Sequence, residues 1–169
     1  NRIMAFLNSE DDEYSDAVNQ QENSVMAIGS GQLTGKGLNN NEVASANKGN
    51  FVSENQTDFI FSVAGEELGF IGCVAILLLL LLIIFECIRT SLRAKDTAGK
   101  IICCGVASIV AVQGFINVAV VTKIMPNTGT PLPFVSYGLT SMVSLYIGMG
   151  LVLNVGLQRY RTYREVEKS

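Results

Sequence analysis

The fold class is decided by the stretch KIMPNTGTPLPFVSYGLTSMVSLYIGMGLVLNVGLQRYR, residues 123–161. In it, polar residues rich in Pro and Gly open directly into a helical segment without charge. A solvent-exposed loop needs no such apolar continuation. A loop at membrane depth needs rigid Pro and permissive Gly, followed by a helix that satisfies its own backbone groups. The stretch therefore predicts a membrane protein.

The composition of the whole chain agrees with this prediction. Hydrophobic residues make up 49% of the chain and charged residues 16%, against about 25% charged residues in soluble domains. Charge is also segregated, because 11 of the 15 acidic residues lie in 1–67 and 9 of the 12 basic residues lie in 68–169. The net charge of -3 hides this layout and says little about partners. No nucleic-acid partner is predicted.

Three apolar runs are long enough to cross a bilayer, which takes about 18 to 20 residues. They predict an all-α membrane protein with transmembrane helices at 68–88, 101–123 and 136–157. Gln113 and Asn117 are four residues apart in the second run, so they share a helix face that we expect to meet protein rather than lipid. Gly and Ser recur in the third run and predict close packing against other helices.

Basic residues predict the orientation of these helices. Four of them lie in 89–100 and four in 158–169, so both segments are predicted to be a cytoplasmic loop and a cytoplasmic tail. Residues 1–67 and the Pro/Gly-rich loop 124–135 are then extracellular. Within the large first loop, residues 1–7 are interpreted as the stump of a preceding helix.

The cysteines predict buried apolar side chains rather than a metal site. All four lie in or at the ends of apolar runs, and the chain has no His and no Cys-x-x-Cys pair. A zinc site and a His-based catalytic triad are therefore not expected.

The glycine-rich segment GSGQLTGKG, residues 29–37, invites comparison with phosphate-binding loops. It does not fit the Walker pattern, and no strand precedes it. Two interpretations remain. Either Lys36 and the backbone of Gly35 and Gly37 hold a lipid-linked pyrophosphate at the membrane surface, or the segment is purely structural.

Asp58 is the acidic residue of the first loop with apolar residues directly after it, at 59–61. Partial desolvation by these neighbours favours a carboxylate that acts as a base. The alternative is an ordinary loop carboxylate or helix cap. Glu66 and Glu67 are predicted to open a transmembrane helix, where the positive end of the helix dipole favours acids. A short interfacial helix is expected around residues 20–28.

Three motifs together resemble the RodA/FtsW/SpoVE proteins, the SEDS family, in both order and spacing. They are AIGSGQLTGKGL at 27–38, ENQTDFIFSVAGEELG at 54–69 and MPNTGTPLPFVSYG at 125–138. The resemblance implies a larger bundle of about ten membrane helices, whose small-residue faces pack together. This chain would then be the C-terminal portion, with the large extracellular loop and the last three helices.

The resemblance implies a peptidoglycan glycosyltransferase that polymerises lipid II on the outer face of the bacterial cytoplasmic membrane, for elongation or division. Its implied partners are lipid II, membrane lipid and a class B penicillin-binding protein transpeptidase. Asp58 matches the catalytic aspartate of the family's His-Thr-Asp-Phe motif, although Gln56 stands where His is usual. Ser136 and Tyr137 match the start of its Ser-Tyr-Gly motif, although Leu139 stands where a second Gly is usual.

The implied chemistry needs a base for the acceptor hydroxyl and a cation for the leaving diphosphate. Asp58 is the expected base, and Lys36, Lys123 or a divalent ion is the expected cation, with no other cofactor required. Lys123 has a second interpretation as a snorkelling anchor at the interface.

Two other functions stay open from the residues alone. A flippase or transporter for lipid-linked precursors, or a noncatalytic membrane scaffold, would use the same helices. The isolated fragment is expected to be inactive because it exposes helix faces meant for other helices.

Overall fold

A computed structural model describes residues 15–37 and 58–166, with side chains placed for 20–37 and 58–158. These residues form helices joined by turns and irregular segments. Three of the four helices are long and apolar enough to cross a membrane, counting residues 139–158 of the last one. The predicted all-α membrane fold with three membrane-length helices is therefore confirmed. The helices are α1 (Ser15–Ser30), α2 (Ile60–Arg93), α3 (Thr97–Val121) and α4 (Leu139–Val166).

The observed helices and the predicted spans have different bounds. Helix α2 extends beyond both ends of 68–88, and the non-helical link to α3 is only 94–96. Helix α4 begins at Leu139 rather than at residue 136, because the carbonyl of Gly138 accepts the first helical bond, from Met142 N at 2.8 Å. The predicted membrane boundaries themselves stay predictions. The predicted stump at 1–7 and Gln56 lie outside the described residues.

The C-terminal end of α3 explains why that helix stops before residue 123. Lys123 has a φ of 60°, which takes the chain out of the helical region. The amide of Ile124 donates to Ala119 O at 2.8 Å, and the amide of Lys123 donates to Val120 O at 3.0 Å. These two bonds are those of a Schellman motif, with Lys123 in the position that usually holds Gly.

The described chain divides into two compact units. Of the described residues, the first comprises 15–37, 58–77 and 113–137, and the second comprises 78–112 and 138–166. The second unit packs parts of α2, α3 and α4 around a small apolar core. Its buried members are Cys87, Ala94, Cys103, Ala107, Val152 and Val155.

Small residues allow the helices of the second unit to approach closely. A Cβ added at Gly148 would lie 3.2 Å from Val106 Cγ2, so the predicted role of small residues in packing holds at this position. Three cysteines are buried as predicted, whereas Cys104 is exposed and its sulfur lies 3.2 Å from Ser91 Oγ. Cys104 was therefore wrongly predicted as buried, because its place in an apolar run does not show which face of α3 it occupies.

Candidate functional site

Helix α2 is interrupted at Gly69, which has φ 69° and ψ -168°. This conformation is accessible essentially only to Gly, and it breaks the helical hydrogen-bond ladder. Residues 31–37 replace the missing partners on both sides of the break. The amides of Lys36 and Gly37 donate to the carbonyls of Glu66 and Glu67, at 2.9 and 3.1 Å.

The same segment also supplies acceptors for the helix that resumes after the break. The amides of Phe70 and Ile71 donate to the carbonyls of Gln32 and Leu33, at 2.9 and 3.3 Å. Residues 31–37, which we call the clamp loop, therefore satisfy two orphan carbonyls and two orphan amides of α2. Every such group would be costly without a partner in an apolar environment.

Glycines let the clamp loop reach the helix backbone. A Cβ on Gly31 would lie 2.0 Å from Gly65 O, and one on Gly35 would lie 2.2 Å from Glu67 O. Neither position has room for a side chain without moving backbone. The glycines at 31 and 35 are thus explained by close backbone contact, which was the structural alternative for this segment.

An ion pair joins the clamp loop to α2. Lys36 Nζ donates to Glu66 Oε1 at 3.0 Å, and the side chains are 25% and 3% exposed. Glu66 lies in the second turn of α2, three residues before the break at Gly69. It therefore precedes the helical segment that resumes at Phe70, and its place at the start of the transmembrane helix stays a prediction. A pyrophosphate role for Lys36, Gly35 and Gly37 stays a prediction.

Asp58 lies just before the first residue of α2. The carbonyl of Phe59 accepts hydrogen bonds from Ser62 N at 3.0 Å and Val63 N at 3.4 Å, so Phe59 is the N-cap residue. The Phe59 side chain is fully buried, at 0% exposure, whereas Asp58 is partly exposed. The positive end of the α2 dipole stabilises negative charge at this position.

Asn117 of α3 ties the Asp58 backbone to the Pro/Gly-rich loop. Its Nδ2 group donates to Asp58 O at 2.8 Å and to Thr130 O at 2.8 Å. The side chain is 1% exposed, which confirms the prediction that it faces protein. The loop 124–135 and the residue predicted as catalytic are therefore held by one buried amide.

The Pro/Gly-rich loop is itself well bonded. Ser136 Oγ accepts from Leu132 N at 2.7 Å, and Ser136 N donates to Leu132 O at 3.0 Å. Gly129 N donates to Asn127 Oδ1 at 3.0 Å. Leu132 and Ser136 are buried, whereas Tyr137 is 75% exposed. The substrate-binding roles of Ser136 and Tyr137 stay predictions.

Helix α1 covers the C-terminal end of α3. Gln21 Nε2 donates to Val120 O at 3.1 Å and to Met125 O at 2.9 Å, and Ser24 Oγ donates to Val121 O at 3.1 Å. The expected short helix at residues 20–28 is thus part of a longer helix, and its polar face caps α3. Lys123 Nζ forms an ion pair with Glu22 Oε1 at 2.6 Å.

Sequence reasoning identified Asp58 and the two loops but missed the residues that connect them. Asn117 was predicted only to face protein, and the available signal was a polar amide within an apolar run. Glu66 carried no signal that it would pair with Lys36, since 30 residues separate them. Within 20–37 and 58–158, no three His, Cys, Asp or Glu side chains cluster as metal ligands. The divalent ion stays an alternative prediction.

Comparisons with known proteins agree with the resemblance seen in the motifs. A family model for FtsW, RodA and SpoVE proteins, described as "Cell cycle protein", matches residues 1–161. Stage V sporulation protein E of Bacillus subtilis is 41% identical over 162 residues, which cover 96% of this chain and 42% of the relative. A probable peptidoglycan glycosyltransferase FtsW of Geobacter metallireducens is 37% identical over 154 residues, which cover 91% and 40%.

A solved structure resembles this chain as well. It is described as "Structural coordination of polymerization and crosslinking by a peptidoglycan synthase complex". The matched chain has a TM-score of 0.67 and 28% identity, with 94% of this chain and 41% of that chain covered. This chain thus spans about two fifths of the length of the curated relatives that it matches.

Proposed function

Because this chain belongs to the FtsW, RodA and SpoVE family of cell cycle proteins, we propose that the full-length protein polymerises lipid II into glycan strands. One observation supports assigning the site of this reaction to the described part of the molecule. Asp58, the N-terminus of α2 and the Pro/Gly-rich loop come together through Asn117, at 2.8 Å from each of two backbone carbonyls. The naming of relatives as peptidoglycan glycosyltransferases supports the reaction type.

In the proposed reaction, the 4-hydroxyl of the acceptor sugar attacks the anomeric carbon of the donor sugar. A carbon–oxygen bond forms to the acceptor, and the bond from the anomeric carbon to the lipid diphosphate breaks. The Asp58 carboxylate takes the hydroxyl proton, which makes the oxygen a better nucleophile as the bond forms. Asp58 suits this role because its backbone is fixed while its side chain is partly exposed.

The leaving diphosphate needs positive charge, and the two candidate lysines differ in how available they are. Lys36 pairs with Glu66, whose side chain is only 3% exposed, so moving Lys36 to the diphosphate would break a contact that water replaces poorly. Lys123 and Glu22 are 39% and 52% exposed, so solvent screens that pair and compensates its loss. We therefore favour Lys123 over Lys36 as the lysine that serves the diphosphate, with a divalent ion as the alternative.

We place the reaction on the outer face of the bacterial cytoplasmic membrane. The three membrane-length helices and the family show a membrane protein. The basic segments 89–100 and 158–169 support an orientation with the Asp58 side outside. A class B penicillin-binding protein transpeptidase is the proposed partner, supported by the similarity to a chain of a peptidoglycan synthase complex.

The test is lipid II polymerisation by the full-length protein carrying Asp58→Asn. The substitution is nearly isosteric and removes the proton acceptor, so the rate should fall by about 10²-fold or more. Asp58→Glu should recover little, because a shift on the order of 1 Å can lower the rate by about 10²-fold. Glu86→Gln is the matched control, since Glu86 is half-exposed and pairs with Arg89 on its own helix.

The alternatives give different outcomes in the same preparation. A flippase would move labelled lipid II across vesicles without forming polymer, and a scaffold would do neither. An Asp58→Asn protein that is expressed normally and polymerises at the unmodified rate would refute the assignment of the base.

A further inference from the structure

Asn117 is held so that its amide group has only one workable orientation. Both backbone carbonyls near it, of Asp58 and Thr130, accept from Nδ2 at 2.8 Å. Turning the amide over would aim Oδ1 at two carbonyl oxygens and lose both bonds, because carbonyl oxygens only accept. Two donors on one nitrogen are what this position requires, and among uncharged side chains only Asn and Gln offer them.

The two carbonyls belong to segments that are far apart in the sequence. Asp58 is followed by the fully buried Phe59, whose carbonyl begins α2. Thr130 lies in the loop that closes on itself through Leu132 and Ser136. The amide of Asn117 is thus a single point at which α3 fixes both the residue proposed as the base and the loop beside it.

From this geometry we propose that Asn117 is a positioning residue, which sets the place of the Asp58 carboxylate relative to the Pro/Gly-rich loop. Asn117 does not touch the reacting atoms and acts through Asp58. The effect on polymerisation rests on the proposed function above. The mechanical link between the two segments is independent of it.

Because the buried Asn117 side chain is bonded to both segments, a change at this residue affects the position of both. Replacing Asn117 by Leu keeps a side chain of similar size but removes the donor that both partly buried carbonyls share. The Asp58 segment and the Thr130 segment then lose this common anchor on α3. Misplacement of a catalytic group on the order of 1 Å can lower the rate by about 10²-fold, so we expect a fall of about 10- to 100-fold in kcat.

Gln113 provides the matched control on the same helix. It lies one turn before Asn117 on the same face of α3, and its Oε1 is buried without a partner among the described residues. Gln113→Leu therefore makes a comparable polar-to-apolar change close by, without removing a donor to Asp58 or Thr130. We expect it to leave the rate within about twofold, as for a substitution away from the reacting groups.

The decisive kinetic experiment is a double-mutant cycle in the full-length protein. If Asn117 acts through Asp58, Asn117→Leu should lower the rate in the unmodified background and have no further effect in the Asp58→Asn background. An equal additional fall in both backgrounds would overturn the proposal, because it would show a general structural defect. An unchanged rate for Asn117→Leu alone would also overturn it.

Hydrogen–deuterium exchange tests the link without using activity. Asn117→Leu should speed exchange in the peptides that contain 58–63 and 127–136, whereas Gln113→Leu should speed neither. Faster exchange in only one of the two segments, or in neither, would refute the link. If the unmodified protein makes no polymer, the proposed function fails, and the exchange result still decides whether Asn117 joins the two segments.

Discussion

Among the side-chain contacts of the clamp loop, the ion pair between Lys36 and Glu66 should contribute most to the free energy of unfolding. The substitution Lys36→Met tests this. The substitution keeps an unbranched side chain of similar length and removes the ammonium. Glu66 is 3% exposed, so its buried carboxylate would lose the ammonium that lies at 3.0 Å. The backbone bond from Lys36 N to Glu66 O, at 2.9 Å, does not depend on the side chain.

The expected magnitude follows from the burial of the pair. Losing a hydrogen bond to a charged group destabilises by about 1.5 to 3 kcal/mol. Glu66 is 3% exposed and Lys36 is 25% exposed, so little water replaces the lost ammonium and the upper part of this range applies, about 2 to 3 kcal/mol. Lys123→Met breaks the more exposed pair with Glu22 and should destabilise by about 0.2 to 1 kcal/mol.

The measurement is the free energy of unfolding of the full-length protein, from denaturant titration in mixed micelles. A double variant, Lys36→Met with Glu66→Gln, removes the buried carboxylate as well as the ammonium. It should be more stable than Lys36→Met alone by about 1 to 3 kcal/mol, because an amide is less costly to bury than a carboxylate. If Lys36→Met and Lys123→Met are equally stable, the clamp loop does not depend on this pair and the reasoning is wrong.

Two further predictions concern the helix break and the orientation. Gly69→Ala should destabilise the protein by at least about 2 kcal/mol, because a Cβ there would lie 2.3 Å from Gly35 N and the φ is 69°. The control is Gly105→Ala, whose Cβ would meet nothing within 4 Å. Equal stability of the two variants would contradict the predicted strain at Gly69. In a cysteine-free background, Thr128→Cys should react with an impermeant thiol reagent in intact cells and Lys95→Cys only after permeabilisation. The opposite pattern would reverse the orientation.

The helices were predictable because their signal is local. The stretch 68–85 is free of charge over its whole length, and membrane crossing depends on that length. The ends of the helices were less predictable, since they depend on partners distant in sequence. Helix α3 stops where Lys123 adopts a positive φ, and α1 then caps the exposed carbonyls through Gln21 and Ser24. No sequence pattern within α3 predicts these contacts with α1.

The candidate site was predictable only in its chemically distinctive members. Asp58 stood out as an acid next to apolar residues, and the Pro/Gly-rich loop stood out by composition. Asn117 looked like a polar residue that faces protein, but its partners come from 59 and 13 residues away in the sequence. The glycines of the clamp loop suggested phosphate, because a Gly that approaches a helix backbone and a Gly that approaches an anion look the same in sequence.

The order of the clamp loop and its target in the chain matters for biosynthesis. Translation proceeds from the N-terminus, so residues 31–37 leave the ribosome before residues 66–71, to which they bond. The donors and acceptors for the broken turn at Gly69 therefore exist already when that turn is made. A discontinuous helix entering lipid would otherwise present unpaired amides and carbonyls to the insertion machinery. Moving the clamp loop to a position after α2, as in a circular permutant, would remove this temporal advantage while leaving the final set of contacts the same.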